Sequence, residues 1–448
     1  MTFTNLARPL NIAVIGSGIS GMSAAWLLSQ NHNVVVYEKG DYIGGHTNTV
    51  DAHLKSGVVP VDTGFIVYNP PNYPNFTALL NHLGVENVET CMSFSASIDD
   101  GAIEYSGQGV SAMCAKATNV LRPRFWRMLC DLVRFYKSAQ KFADDPAYEH
   151  YTLGRFLDEK GYSKDFLYDH LLPMAAAIWS MPVEDALDYP LGAFVRFYAN
   201  HGLLKLANQP IWNTVANGSR SYVSEITKPY ADNILLNTGV EAVSRSADGV
   251  AVHDRQGGVR IFDHIVIASH ADEALSMLSD ADDRERDLLG AFRYQRNKAI
   301  LHTDEGFMPE ARRAWASWNY MSTRAGDQRE VCVTYWMNRL QNLDCPEDVF
   351  VTLNTFRPPR EGTVLRTFLY DHPIFDLAAV KAQKDLWDIQ GVRRTWFCGS
   401  YFGHGFHEDG LQSGLAVAEA LGGARRPWTV ENESGRIHLP SPVAQAAE

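Results

Sequence analysis

The sequence predicts an α/β protein in two parts: a Rossmann-type domain built on a parallel sheet, and a discontinuous α+β domain inserted into it. Three observations carry this. Residues 10–47 read as strand, glycine turn, helix and strand in immediate succession. Two distant segments, 264–275 and 395–421, again run from an apolar strand through a small-residue loop into a helix. The chain has 448 residues, 46% of them hydrophobic, enough to bury more than one core. The expected boundaries put residues 1–75, 210–285 and 390–424 in the first domain, 76–209 and 286–389 in the second, and 425–448 in a loose tail.

Each part of the opening stretch has a mechanical reason. Ile12, Ala13, Val14 and Ile15 form a buried strand that runs into Gly16, Gly18 and Gly21. Ser20 is the candidate cap of the helix that follows, and Met22, Ala25, Trp26, Leu27 and Leu28 give it an apolar surface. A second strand, residues 34–37, stops at Glu38. Gly16 permits a tight turn, Gly18 lets main-chain N–H groups approach a pyrophosphate at the helix N-terminus, and Gly21 lets helix and strand pack closely. Glu38 is placed to accept hydrogen bonds from an adenosine ribose, and its charge repels a 2′-phosphate, which disfavours a phosphorylated nicotinamide. Glycines alone suit any turn; with the strand, helix and acid around them they specify a dinucleotide site.

Bulk properties exclude other classes. A formal net charge of −12 and the lack of a long basic run argue against a nucleic-acid partner. The six cysteines are scattered without CxxC pairs, which suits a reducing compartment and offers no metal pattern. Too few residues precede the first strand for a secretion signal, and no apolar run reaches the roughly 20 residues of a membrane span. A cytoplasmic location is expected.

Farther along, Gly44-Gly45-His46-Thr47 and Gly64, after Asp62 and Thr63, let main chain lie against a cofactor, although both also suit ordinary turns. After Pro70, Pro71 and Pro74 a short helix is expected at 75–83, and residues 105–206 read as mainly helical. There the stripe Leu121, Phe125, Met128, Leu129, Leu132 and Tyr136 lies opposite Arg127, Arg134, Lys137 and Lys141. Residues 123–141 are thus a basic amphipathic helix, either a solvated face or a contact with an anionic membrane surface. The apolar segments 170–182 and 191–204 suit core or the walls of an apolar tunnel. Strands are expected at 234–236, 240–244 and 250–253, then at 298–302, 331–336 and 349–353, with Trp315, Trp318, Tyr320, Tyr335 and Trp336 filling core. The charged run 280–286 reads as a solvated turn or helix end. A helix starting near Gly410 offers a second N-terminus to an anionic or electron-rich part of the cofactor.

Together Gly16 to Gly21, Glu38, the Gly44-Gly45 pair and residues 398–414 resemble the FAD-binding domain of the flavin-dependent amine oxidase and phytoene desaturase superfamily, over nearly the whole chain. More narrowly, RNKAILHTD (296–304), AWASWNY (314–320), YDHPIFD (370–376) and FCGSYFGHGFHEDGLQSG (397–414) are similar to bacterial flavoproteins associated with cyclopropane-fatty-acid synthase-like methyltransferases. These include the desaturase of furan fatty acid synthesis. Two positions depart from the superfamily pattern: His46 stands where Arg is usual, and Ser400 where an acid is usual.

The resemblance implies an amine oxidase-like fold holding FAD in an extended pose. Glu38 would meet the ribose, Val240 the adenine, and Gly44, Gly45 and His46 the pyrophosphate or flavin. Asp409, Gly410 and Leu411 would lie near the ribityl and isoalloxazine. Gly16, Gly18, Ile19, Ser20, Gly21, Lys39, Thr63, Gly64, Phe65, Gly399 and Ser400 complete the expected cofactor set. Lys298 stands where amine-oxidase relatives carry a lysine that holds a water at the flavin; by itself a strand lysine reads as a surface residue. His46, His404 and His407 are the candidate bases.

With one nucleotide fingerprint and no second for a nicotinamide, electrons are expected to leave the flavin to oxygen or another acceptor. The expected activity is an FAD-dependent desaturase acting on a methylated or methylene-bearing fatty acyl chain, in a phospholipid, at the inner face of the membrane, with a methyltransferase as candidate partner. Three alternatives stand beside it: an amine oxidase with a cage from Tyr401, Phe402 and Phe406; a carotenoid-type desaturase or isomerase; and a non-catalytic flavin-containing partner that presents lipid to a methyltransferase.

Overall fold

The apolar run after Leu10 becomes the middle strand of a five-stranded parallel sheet. In the computed structural model, which describes residues 8–107, 110–143, 145–179, 185–204, 210–325 and 328–440, the order is Thr395–Phe397, His264–Ile267, Asn11–Ile15, Asn33–Tyr37, Ile234–Leu235. All neighbours pair in parallel. Ile12, Ala13 and Val14 are buried on both faces of this sheet, which is why they read as a continuous apolar run and not as an alternation. Ile15 lies in register with both Tyr37 and Ile267. The loops leaving these three strands therefore gather at one edge, the crevice where open α/β sheets bind ligands.

The helix Ile19–Leu28 is buried along its whole length. Its cap is Gly18, with no side-chain hydrogen bond; Ser20, the expected cap, lies inside the first turn. A Cβ on Gly21 would sit 2.0 Å from the carbonyl oxygen of Gly16, so no other residue fits there. The C-terminal helix, His407–Ala420, begins a turn earlier than expected. It crosses the first helix through Gly414, whose Cβ would meet the Ser20 carbonyl at 2.2 Å.

A seven-stranded sheet forms the floor of the second part, in the order Val364–Ile374, Arg293–His302, Phe350–Leu353, Gln328–Trp336, Trp318–Ala325, Phe94–Ile98, Ile103–Ser106. The three strands expected here are present, and four others escape sequence patterning. Two of those lie near residue 100, where helix was expected from Tyr105 onward. Polar residues disguise this pair: the Ser97 hydroxyl donates to buried Glu104 (2.9 Å), and the Ser95 hydroxyl to Asn319 on the neighbouring strand (2.7 Å).

The helix Pro123–Ala143 buries Phe125, Met128, Leu132, Phe135 and Ala139. Leu121, assigned to the same stripe, falls instead in the preceding turn Ala117–Leu121 and is 81% exposed. Of the apolar segment 170–182, residues 180–182 lie outside the described residues, as do 205 and 206 of the helical stretch. The charged run is a helix, Asp283–Leu289, whose first turn is capped by Asp282, and buried Glu285 pairs there with Arg245 and Arg393. The expected helix end is present, with Asp283, Arg284 and Arg286 exposed, and Glu285 departs from the solvated reading by being buried in an ion cluster.

Residues 425–440 are not a loose tail. Carboxylates on the C-terminal helix draw the segment in: Arg426 donates to half-buried Glu419 (2.8 Å) and Arg436 to buried Asp409 (3.2 Å), while Trp428 stacks on Trp26. Residues 441–448 lie outside the described residues. Beside these pairs, Glu408 accepts hydrogen bonds from Asn75 N (3.0 Å), Asn75 Nδ2 (2.8 Å), Phe76 N (3.0 Å) and Gln412 Nε2 (2.9 Å). It caps the helix Pro74–Leu83 from a different part of the chain. Replacing Glu408 by Ala is expected to destabilise the protein by about 3 kcal/mol, because two helix N–H groups are stranded in a buried setting. Urea unfolding of the purified protein measures this, and a loss within error of zero refutes the assignment.

Candidate active site

The loops at the sheet edge open into a cavity of about 530 Å³ that continues between the helical segments and the seven-stranded sheet. At one end it is lined by Gly16, Ser17, Gly18, Glu38, Lys39 and Val240, in the middle by Gly44, Gly45, His46, Thr63, Gly64 and Phe65 with Gly399 and Ser400, and at the other end by Phe197, His201, Trp212, Trp318, Tyr335 and Phe406. Ile19 and Ser20 also face it.

The first end is a cradle for a dinucleotide. Gly16 and Gly44 hold φ of 104° and 124°, which L-residues with side chains rarely adopt. Nothing lies within 4 Å of where a Gly18 Cβ would stand, so open space faces the uncapped end of the first helix, where main-chain N–H groups and the helix dipole favour an anion. Glu38 accepts from Ser17 N (3.0 Å), Ser17 Oγ (2.6 Å) and Gly40 N (2.7 Å). The acid thus shapes the glycine loop first, and a carboxylate's remaining lone pairs are left for a ribose. Lys39 pairs with Glu273. Gly64 passes so close that its Cβ would lie 2.2 Å from the His46 carbonyl oxygen, which brings Thr63 and Phe65 against the Gly-Gly-His loop. Among the described residues, Tyr37 Oη, His46 Nε2, His201 Nε2, Trp318 Nε1 and Tyr401 Oη, all on cavity-lining side chains, are buried and find no hydrogen-bond partner. Glycine cradle, open helix end and unmatched polar atoms together fit FAD.

Five of the expected residues do not reach the cavity. Gly21 is spent on helix packing. Asp409 is fully buried and accepts from Phe406 N (2.7 Å) and from Arg436. Gly410 and Leu411 pack beside it in the helix, a Gly410 Cβ meeting Ile19 at 2.9 Å. Lys298 is exposed, on the outer face of its strand, and does not line the cavity. Successive strand residues point to opposite faces, so its neighbour Asn297 is the one turned inward. Asn297 Nδ2 donates to His372 Nδ1 (2.8 Å) and is itself fixed by Asn354 Nδ2, which donates to Asn297 Oδ1 (2.7 Å). Neutral His372 therefore carries its proton on Nε2.

Sequence inspection also missed His270, His372, Tyr222 and Tyr370, although the first two stand in strings rich in His and Asp. His46 sits between the Tyr370 ring (5.0 Å between centroids) and His372 (5.2 Å), with His270 at 6.4 Å. Burial holds all three imidazoles below their usual pKa, His46 well below it and His372 at about 4. Among the described residues, no group of three His, Cys, Asp or Glu side chains is arranged to hold a metal ion.

Opposite this set, His407 Nε2 lies 2.7 Å from Tyr222 Oη, which lies 2.7 Å from Thr47 Oγ1. The His407 ring stacks on Phe65 at 3.8 Å, and burial lowers its pKa to about 3. Phe406 stacks on Phe197, and Tyr401 packs on Phe402, which does not line the cavity. The aromatic cage expected from Tyr401, Phe402 and Phe406 is therefore not assembled.

Two outcomes follow from this geometry. Burial pushes His170, His372 and His302 down to about 4, and His201 and His407 to about 3, from 6.5. The unfolded chain takes up these protons first, so their stabilisation is complete above pH 6.5 and is lost as pH falls towards about 4. Asp62, raised to about 6 by burial, acts in the opposite sense, but one group does not outweigh five. The melting temperature is expected to be lower at pH 5 than at pH 7.5, and a flat or rising profile in scanning calorimetry contradicts the burial. Second, Gly18→Val should fold normally yet retain FAD at least about tenfold less tightly, read by flavin absorbance after gel filtration. Gly21→Val should fail to fold.

Comparison with known proteins identifies the fold and the family. Cyclohexylamine oxidase from Brevibacterium oxydans IH-35A superposes with a TM-score of 0.65 at 17% identity, covering 92% of this chain and 100% of that one. The CLA-producing fatty acid isomerase from P. acnes gives 0.63 at 15%, covering 93% and 99%. At these identities both establish the fold. A stretch of 93 residues is 39% identical to amine oxidase [flavin-containing] A of Sus scrofa; it spans 20% of this chain and 17% of that enzyme. Residues 19–422 match the family profile described as flavin containing amine oxidoreductase, so the chain belongs to that family of FAD-dependent oxidoreductases.

Proposed function

We propose that this FAD-dependent oxidoreductase is a desaturase of methylated or methylene-bearing fatty acyl chains carried on phospholipid. The observation that carries this reading is the character of the cavity's far end. Its walls are Met92, Ile178, Phe197, Leu203, Trp212, Trp318, Tyr335, Leu353 and Phe406, together with His201, which burial keeps uncharged. The three carboxylates that line the cavity elsewhere are engaged, Glu38 by Ser17 and Gly40, Glu273 by Lys39 and Asp371 by Arg296. None is free to attract an ammonium group, whereas a long apolar chain matches the walls. The fatty acid isomerase named above is support of a weaker kind, since it carries acyl chemistry on the same fold.

Desaturation breaks two C–H bonds and forms one C=C bond, releasing a hydride and a proton. FAD, when bound, supplies the hydride acceptor. The apolar walls exclude water and hold the chain in one pose, which matters more for an unactivated C–H bond than a strong base. His407 is the residue best placed for the proton. Its Nε2 is engaged with Tyr222, and burial lowers its pKa to about 3, so the ring is neutral at neutral pH and would hold an accepted proton only in transit. Tyr222 and Thr47 continue the chain along which that charge is shared.

His407→Gln and Tyr222→Phe are expected to lower kcat by about 10² while leaving flavin content unchanged, measured by single-turnover reduction. The reading itself is tested by anaerobic mixing with phospholipids that bear methylated acyl chains: the flavin should bleach, and the chain should lose two hydrogens by mass spectrometry. Bleaching by polyamines or aryl amines, with none by acyl lipids, would transfer the site to amine oxidation. No bleaching by either would favour the non-catalytic lipid-presenting partner.

A further inference from the structure

We propose that the helix Pro123–Ala143 and the turn before it dock on an anionic phospholipid bilayer. The proposal rests on the acyl-lipid reading for its purpose and on the surface itself for its geometry. Three features coincide. First, large apolar side chains stand in solvent where the helix begins: Leu121 is 81% exposed, Trp126 51% and Val120 41%. They form one unit, because the Trp126 indole N–H donates to the Val120 carbonyl oxygen (2.9 Å) and ties the turn to the helix. An aromatic ring that keeps its polar edge bonded and its face in solvent suits the headgroup boundary of a bilayer.

Second, charge is distributed to match. The chain as a whole has a formal net charge of −12 and would be repelled by an anionic surface, yet residues 120–141 hold six Lys and Arg against one Asp. Arg124, Arg127 and Arg134 are ion-paired with Asp169, Asp165 and Asp131. Arg122, Lys137 and Lys141 have no ion pair among the described residues and remain available to phosphate groups. At 3.6 residues per turn, Trp126, Val133, Lys137 and Lys141 fall within a strip about 80° wide, so wedge and cations face the same way. From Trp126 to Lys141 the strip is about 22 Å long.

Third, the helix is one layer from the cavity. Its buried side packs on the helices Leu191–Asn200 and Lys164–Phe166, and Phe197 of the former lines the cavity. A bilayer met at this face would lie against the wall of the apolar end. No helix among the described residues is long and apolar enough to cross a membrane, so this contact would be peripheral.

The test is flotation of the full-length, FAD-loaded protein with phosphatidylcholine vesicles, alone or with about 30% phosphatidylglycerol. The protein should float with the anionic vesicles and not with the neutral ones, and about 0.5 M salt should release it. Leu121→Glu with Trp126→Glu, and separately Lys137→Glu with Lys141→Glu, should each lower binding at least about tenfold. Both variants should oxidise detergent-dispersed acyl substrate as the wild type does. Wild-type protein that stays at the bottom with both vesicles, or variants that float as well as wild type, would overturn the docking. So would dimerisation through this face without vesicle binding. Docking as expected with no acyl oxidation by any variant would overturn the desaturase reading and leave the surface assignment standing.

Discussion

The close approach of three chain segments through glycine is the constraint on which the rest depends. Gly21 lets the first helix settle onto the Gly16 carbonyl, Gly414 lets the last helix cross it at Ser20, and a Cβ on Gly45 would stand 3.2 Å from Gly18 Cα. These contacts draw residues 16–21, 44–46 and 407–414 together although the last lies hundreds of residues from the other two. With a methyl group at any of these contacts the loops would be pushed apart, and the open helix end would no longer face the Gly-Gly-His turn. The cavity is therefore a by-product of how closely two helices and a sheet can lie.

Around that cradle, burial decides the state of most titratable groups. The cavity imidazoles lose solvation and stay neutral, so they act as oriented hydrogen-bonding groups and not as standing charges. Buried carboxylates are retained as struts. Asp62 accepts from Ser219, Gln341 and Thr49, joining the 49–62 hairpin to two other segments beside the cavity. Glu408 does the same between the helices Pro74–Leu83 and His407–Ala420. Such groups are tolerated because each finds several donors, and they hold the wall rigid where substrate and cofactor must be aligned.

Much of the site was legible in the sequence because its logic is local. Strand, glycine turn, helix and acid follow one another within about 40 residues, and each is identified by what the backbone must do there. The Gly-Gly-His and Thr-Gly-Phe turns were legible for the same reason. Lys298 shows where this kind of inspection ends. The segment is a strand that passes the site, but a period of two puts Asn297 inside and Lys298 outside, and only pairing with neighbouring strands decides which face is which. The pair Phe94–Ile98 and Ile103–Ser106 was hidden because Ser95, Ser97, Glu104 and Ser106 are buried beside Ala96, Ile98, Ile103 and Tyr105, which breaks the apolar pattern of the strands.

The sequence by itself determined the fold class, the dinucleotide cradle and the amphipathic character of the helix Pro123–Ala143, since these are properties of consecutive residues and their periodicity. Only the tertiary structure decided that Asp409 is spent on a helix cap and Arg436, that Tyr222 and Thr47 back His407, and that Leu121 and Trp126 stand in solvent on the same helical segment as Arg122, Lys137 and Lys141. Those facts depend on which surfaces meet across long sequence separations. Burial and partnership, which set the chemistry of each side chain, are properties of the packed molecule and not of the chain.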